Sequence, residues 1–485
     1  MSQKRLIQAG PVLILLVIVL VTALLFPGDA SFLNDEPQLL HQALTENHQP
    51  LHILGISLPF TPSPVGLPGT RGVCYGPLPV WIYQALLGIT LDPVAIVAMR
   101  AFLFTASTAL ALAWLARSMR LSLWFAALSM LSPWLWSYSR QLWDNSFGIP
   151  LSAIALASYA DFLIAPRRWT LLLCVISLAA MSLVHLMAAP LIAAVGLHVL
   201  LFQRRSVARY RWGVLIIGVI WLWVFLRSIQ TPPMIPPAPN QGPPPSDLGW
   251  FNPLLGAHHL TAAFDWLPST RGHLPIILVA CQAVSLLPHL AVWIGMCWII
   301  RRAVGGWRSF TPVDHLALLA LAAAALQSVL DGVVRIGPQP NFFNATWVVY
   351  LVLAWYGVDA IGRWIWKPLL TIRLPLAAYV ASTAAVLITS IILIHRNGGT
   401  RTIDYGTVLA DQMQAARRIQ QFSPRSPVEV VYFQWRDFPW AKSALLELSA
   451  PPPGPQPLRQ LLIRYRDDYP QDARIAVDDF PLPPP

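Results

Sequence analysis

Long apolar blocks alternate with short polar breaks from residue 10 to residue 394. A helix needs about 20 apolar residues to cross the hydrocarbon layer of a membrane. The blocks that approach this length are 10–27, 93–116, 121–138, 146–164, 170–184, 186–202, 212–228, 274–300, 315–331, 345–362 and 374–394. A twelfth, 78–91, is shorter, starts after Gly76-Pro77 and stops at Asp92-Pro93, which predicts an interfacial or re-entrant helix that does not cross. The first block follows a basic start with no clear small-residue cleavage site after it, which predicts a retained signal-anchor helix. Beyond residue 395 the pattern changes. Val408–Gln421 has helical periodicity, while Val428–Trp435, Leu461–Tyr465 and Ala473–Val477 alternate like strands. The expectation is an all-α polytopic membrane domain over 1–394 and a small α+β appendage over 395–485. A β-barrel would show ten-residue alternations in place of these blocks.

The basic residues orient the helices. Cytoplasmic loops carry the excess of Lys and Arg. If 78–91 does not cross and the N-terminus is cytoplasmic, sixteen basic residues fall inside: Lys4, Arg5, Arg117, Arg120, Arg167, Arg168, Arg204, Arg205, Arg209, Arg211, Arg301, Arg302, Arg308, Arg363, Lys367 and Arg373. Six remain in outside loops and outer helix ends, namely Arg71, Arg100, Arg140, Arg227, Arg271 and Arg335. Letting 78–91 cross would move every later basic cluster outside. The pattern therefore predicts eleven spans, a cytoplasmic N-terminus and an extracytoplasmic C-terminus in the inner (plasma) membrane. Outside lie a long first loop (28–92), a short loop near 139–145, a proline-dense loop (229–273) that reads as polyproline II or an irregular lid, and a loop at 332–344.

Composition agrees. The chain of 485 residues is 56% hydrophobic and 11% charged, with a mean hydropathy of +0.56, against about 25% charged in soluble domains. That excludes a soluble enzyme, a disordered chain and a coiled coil. The formal charge of +11 marks topology, not a nucleic-acid surface. The 30 Arg against 3 Lys hint at a GC-rich bacterial genome. Cys74, Cys174, Cys281 and Cys297 have no metal-ligand or CxxC spacing.

The chemistry gathers on the outer face. Asp35 and Glu36 follow the first span and can act as general base and orienting group, or cap the helix that begins there. Tyr75-Gly76-Pro77-Leu78 forms a turn into the interfacial helix, where Trp81 and Tyr83 suit headgroup depth. Arg140, Asp144 and Asn145 lie between two apolar spans, where charges are costly without a partner or a task. An Arg fork fits phosphate oxygens, although an Arg–Asp surface pair is the plainer reading. His185 sits at a tight turn, as a cap or as a weaker candidate for chemistry. Asp331 and Arg335 form a third outer cluster. The sequon at Asn344 abuts a span and reads as chance. A lipid-linked phosphate substrate would use such a face: Arg for the phosphate, a carboxylate for the acceptor proton, apolar grooves for the tail.

At these residues the chain resembles the GT-C superfamily of integral-membrane glycosyltransferases, in the branch of protein O-mannosyltransferases and the lipid A aminoarabinose transferase. The resemblance rests on Asn34-Asp35-Glu36, Tyr75-Gly76-Pro77-Leu78 and Ser139-Arg140 with Asp144-Asn145, and covers residues 1–200 by motif and 200–395 by architecture. Pro37 and the proline-dense loop depart from the family pattern. The resemblance implies a polyprenyl-phosphate sugar donor, a lipid, glycan or protein acceptor, and Asp35 as the catalytic base beside Glu36. It matches Asp144 to a second-loop acid that helps bind a divalent cation or orient substrate; Arg140 and Arg335 are the candidates for the donor phosphate, and Asn145, Tyr75 and His185 are further candidates for orienting groups. If a divalent cation takes part, Asp35 and Asp144 are its ligands. No nucleotide-binding loop is needed, because such a donor arrives within the membrane. The alternatives are a transporter or flippase, or another transferase or ligase, for a lipid-linked substrate, and an assembly subunit whose acids are only caps.

Overall fold

The computed structural model describes residues 3–32, 35–47, 51–53, 56–58, 62–66, 76–230, 247–251, 256, 260, 286–335, 340–364, 368–399, 406–422, 428–432, 459–465 and 475–479. Most of the proline-dense loop and the stretch 274–285 of an expected span lie outside the described residues.

Helix α1 (Gln3–Leu24) separates two faces by its periodicity. Leu15, Val19 and Ala23 are buried, while Leu13, Leu16, Leu20 and Leu24 are exposed. Apolar side chains on both faces suit a helix between protein and lipid. Helix α2 (Asp35–Asn47) and the hairpin β1 (Leu51–Ile53) and β2 (Ile56–Leu58) follow. Helix α3 (Leu78–Leu87) has 10 residues. At about 1.5 Å per residue it reaches only half of a bilayer core of about 30 Å. Its end at Gly88 leaves α3 packed beside α2.

Helix α4 (Pro93–Ser118) starts at an N-cap, with Asp92 accepting from the Val94 N–H at 3.0 Å and Pro93 in the first turn. The block 121–138, expected as one span, is two short helices, α5 (Leu123–Ser129) and α6 (Pro133–Arg140). The break falls at Ser132-Pro133, because proline lacks the N–H and clashes with the carbonyl four residues earlier. Helices α7 (Gly148–Ile164) and α8 (Arg168–Ser182) come next. The run Leu186–Ala208 joins α9 (Ala189–His198) through a π-helical turn to α10 (Arg204–Ala208). Helix α11 (Arg211–Gln230) presents Trp212, Ile216, Val219, Ile220 and Trp223 outward. Helices α12 (Leu286–Val304), α13 (Pro312–Val334), α14 (Trp347–Trp364) and α15 (Pro368–Asn397) complete the bundle.

Among the described residues six helices are long and apolar enough to cross a membrane, and Gly10–Leu24, Arg168–Ser182 and Trp347–Gly362 are shorter apolar helices beside them. This is a multi-pass helical membrane protein. Small residues allow a close contact between two of its helices. A Cβ on Gly357 would lie 2.0 Å from the Ala291 carbonyl oxygen, and one on Gly295 would lie 2.1 Å from that of Leu353. So α12 and α14 touch backbone to backbone, as membrane helices with small residues do. Three polar side chains inside the bundle form a chain. Tyr159 and His198 are 2.8 Å apart, and His198 meets His315 at 3.2 Å.

The tail continues with α16 (Leu409–Phe422) and strands β3 (Val428–Tyr432), β4 (Arg459–Tyr465) and β5 (Ile475–Asp479). Strand β4 is central, parallel to β3 and antiparallel to β5. Helix α16 is not separate from the segment that follows α1. Leu409 N–H donates to Ala30 O at 2.9 Å, Gln412 Nε2 donates to Phe32 O at 2.9 Å, and Ser31 bridges Val408. Leu409 and Ala416 share one apolar core with Phe32, Leu39, Leu40, Val80, Tyr83 and Ile96.

Candidate functional site

The end of the bundle that carries α2, α3 and the loop after α6 is built on close approaches. A Cβ on Gly76 would sit 2.3 Å from Leu183 Cα and its carbonyl oxygen, so only glycine lets the turn into α3 press on the end of α8. Helix α3 is then pinned to α2 by polar side chains. Trp81 Nε1 donates to Ser63 O at 2.7 Å, Gln42 Nε2 donates to Val65 O at 3.1 Å, and Ser63 Oγ donates to Glu46 at 2.9 Å. Burial raises the Glu46 carboxyl above the usual range, against the hydrogen bonds from Ser63 and Gln42.

Behind α3 lies a charged interior. Tyr83, expected at headgroup depth, is fully buried against Arg100. Burial pushes its phenol well above the ordinary value, with Arg100 opposing and the charges of Glu36 and Asp144 adding. Arg100 is itself buried near the start of α4. Its Nη1 donates to Tyr138 O at 2.9 Å and to Ser139 O, and its Nη2 donates to Ser146 Oγ. The rings of Phe104 and Phe147 flank it at 5.4 and 4.8 Å. The two carbonyls belong to the last turn of α6, which leaves them without intrahelical donors. Arg100 therefore closes α6 and fixes the loop after it.

That loop carries the residues predicted for chemistry. Asp144 is buried, and its Oδ1 accepts from the Asn145 N–H at 2.6 Å. Asn145 Oδ1 accepts from Asn344 Nδ2 at 3.1 Å, and Asn344 Oδ1 accepts from Trp134 Nε1 at 3.0 Å. Asn344, read above as a chance sequon, thus ties the loop after α6 to the start of α14.

Arg140 points to the end of α1. Its Nη2 donates to Leu25 O at 2.7 Å and to Phe26 O, over the Trp136 ring at 4.7 Å. Phe26 has φ of 50°, in the left-handed region. An L-residue there costs about 1–2 kcal/mol, and the bend presents both carbonyls to one guanidinium. Two turns of chemistry that sequence reasoning missed stand beside it. Asp29 accepts from His395 Nδ1 at 2.8 Å, and the Phe26 and His395 rings stack at 3.7 Å. Burial raises the Asp29 carboxyl, while His395 and then Arg140 pull it down.

The structure thus groups Glu36, Arg100 and Asp144 around Tyr83, and Arg140 with Asp29 and His395. His185 caps the 3-10 turn Leu186–Ala188 by accepting from the Met187 N–H at 3.2 Å, and burial lowers its pKa to about 4. Arg335 stands apart. It is 60% exposed and pairs at 3.1 Å with Asp247, which is 74% exposed. Tyr75 and the side chain of Asp35 lie outside the described residues, although the Asp35 main chain opens α2. Among the described residues no three His, Cys, Asp or Glu side chains gather as a cation site. The signal that could have found Arg100 was its isolation in the apolar run of α4.

No protein-family profile matches the chain, and no curated protein does. Among solved structures it is similar to ArnT from Cupriavidus metallidurans, crystallised bound to undecaprenyl phosphate, at 14% identity and a TM-score of 0.49 over 97% of each chain.

Proposed function

We propose that this chain transfers a sugar from a polyprenyl-phosphate donor to an acceptor group at the outer face of the membrane. The observation that carries the reading is the buried charged cluster of Glu36, Arg100 and Asp144 about Tyr83. Charges inside a membrane bundle are costly and mark function; Glu36 and Asp144 lie on the acidic and Arg/Asp segments that resemble the GT-C family, and Arg100 joins them from α4. In the proposed reaction an acceptor hydroxyl gives its proton to Asp35, and its oxygen attacks the anomeric carbon. The bond from that carbon to the phosphate oxygen breaks, and guanidinium groups stabilise the charge left on the phosphate. The Nη2 tie to Leu25 and Phe26 fixes the plane of the Arg140 fork for a phosphate. Arg335 is the second such cation, exposed at its helix end. Glu36, Asp144, Asn145, Tyr75 and His185 orient the substrates, and Asp35 with Asp144 would hold a divalent cation if the reaction uses one.

The proposed setting is the bacterial inner membrane. Eleven spans (1–394) place the N-terminus in the cytoplasm and residues 395–485 outside. The contacts of α16 with residues 30–32 support one side for the first loop and the tail.

The test uses the purified full chain in nanodiscs with a radiolabelled polyprenyl-phosphate sugar and lipid, glycan and peptide acceptors. Transfer by the wild type and its loss in both Asp35→Asn and Arg140→Ala supports the reading. Transfer left intact by both substitutions would sink it. A reporter fused at residue 480 and found in the cytoplasm would overturn the topology.

A further inference from the structure

His395 and Asp29 lie 366 residues apart in the chain and meet at 2.8 Å at the outer ends of α15 and α1. The two side chains are unequally open. That of Asp29 is 10% exposed and that of His395 is 50% exposed. A tie whose only task is to hold two helix ends together gains most from burying both partners. Here the carboxylate is sealed and the imidazole is open to the outer face. Asp29 takes Nδ1, so Nε2 is the ring nitrogen left to exchange a proton outward, the arrangement by which a carboxylate orients an imidazole for acid–base work. The ring plane is fixed by Phe26, stacked with an interplanar angle of 16°. The charged groups facing His395 are Asp29 from the turn after α1 and, acting on Asp29, Arg140 from α6; its own helix adds Arg396. The same Phe26 that supports the imidazole gives its carbonyl to Arg140, so phosphate candidate and imidazole share one support.

We propose that His395, oriented by Asp29, is a further acid–base residue of the outer-face site, and that its Nε2 proton goes to the phosphate released from the donor. This rests on the sugar-transfer reading above. As the bond from the anomeric carbon to the phosphate oxygen breaks, its electron pair goes to that oxygen. The imidazolium protonates the oxygen and becomes neutral, while the acceptor's proton has passed to Asp35. The product phosphate monoester leaves singly protonated, Asp35 returns its proton to water, and water reprotonates the ring.

His395→Asn is the informative variant. Its amide nitrogen falls near the position of Nδ1 and keeps a donor for Asp29, but nothing carries a proton at the Nε2 position. Transfer is measured from pH 5.5 to 9 for the full chain in nanodiscs, with monodisperse elution as the check on folding. The expected result is a kcat lower by about 10²–10⁴-fold, with a smaller change in donor KM and a pH profile that differs from that of the wild type. His395→Gln, which lacks the Nδ1-like donor, serves if the asparagine variant does not fold. A wild type active in transfer, with a variant of equal rate and equal pH profile, overturns this inference alone. A wild type without transfer overturns the sugar-transfer reading and this role with it.

Discussion

Replacing Arg100 by leucine removes the one side chain that closes α6. It strips the donor from Tyr138 O, Ser139 O and Ser146 Oγ, and it removes the cation nearest Tyr83 and Glu36. Each buried acceptor left without a donor costs about 1–3 kcal/mol, but the three share one guanidinium and do not add. The comparison that decides is the loss of one partner from a buried charge pair, about 3–5 kcal/mol. The leucine recovers part of this through packing against Phe104 and Phe147, about 1–2 kcal/mol. A net loss of about 2–3 kcal/mol is expected, or roughly 30- to 150-fold in the folded-to-unfolded ratio. Arg100→Lys separates charge from shape. A single ammonium cannot span three acceptors arranged for a planar fork, so it should recover the charge term and leave a loss of about 1 kcal/mol. Equilibrium unfolding in mixed micelles titrated with dodecyl sulfate, followed by tryptophan fluorescence, measures both. If Arg100→Leu unfolds within about 0.5 kcal/mol of the wild type, the guanidinium does not hold the outer loop and the account of the site is wrong.

Gly76→Ala places a Cβ 2.3 Å from the Leu183 main chain. It should reduce the folded yield and any activity of the site together, whereas Gly88→Ala, whose nearest contact is at 3.3 Å, should do neither. The Glu46 carboxyl is raised by burial above 4.5, so it favours the fold below that pH and the contribution is lost as pH rises through the raised value. Glu46→Gln should abolish this slope in unfolding titrations, and a slope that persists would assign it elsewhere. His185 is lowered from 6.5 to about 4. Its contribution is present above 6.5 and is lost as pH falls from there toward 4. His185→Asn keeps an acceptor for the Met187 N–H and should flatten the acid side of the stability profile. An unchanged acid limb would refute that assignment.

Much of the membrane architecture was legible because apolar length and basic flanks act locally. The helices that carry Pro93–Ser118 and Pro312–Val334 fall where the pattern predicts them. The block 121–138 did not, since its mean apolarity hid a proline that no helix interior accepts. Tyr83 was read from its ring as an interfacial anchor, while its place is decided by Arg100 one helix away. Arg100 entered only as a topology marker, and Asn344 only as a sequon. Asp29 and His395 carry no local signal for each other. Their pairing exists only after the turn that follows α1 meets the end of α15, and no periodicity encodes a partner at that separation. The acidic and Arg/Asp segments could be read as chemistry because charge between apolar blocks is conspicuous. Which charges meet is a property of packing.

The contact of Gln412 with Phe32 spans 380 residues, and this sets a clock on biosynthesis. Residues 30–32 leave the ribosome before the helix that completes their core, which follows 380 residues later. At about 5–20 residues per second, roughly 20–75 s separate the two events. Throughout that interval Leu39, Leu40 and Val80 lack the cover of Leu409 and Ala416. A chain interrupted after α15 would insert in the membrane with the core around Phe32 unfinished. The tail helix therefore doubles as a completion mark, and nascent chains stalled before it should be the ones open to proteolysis at the first loop.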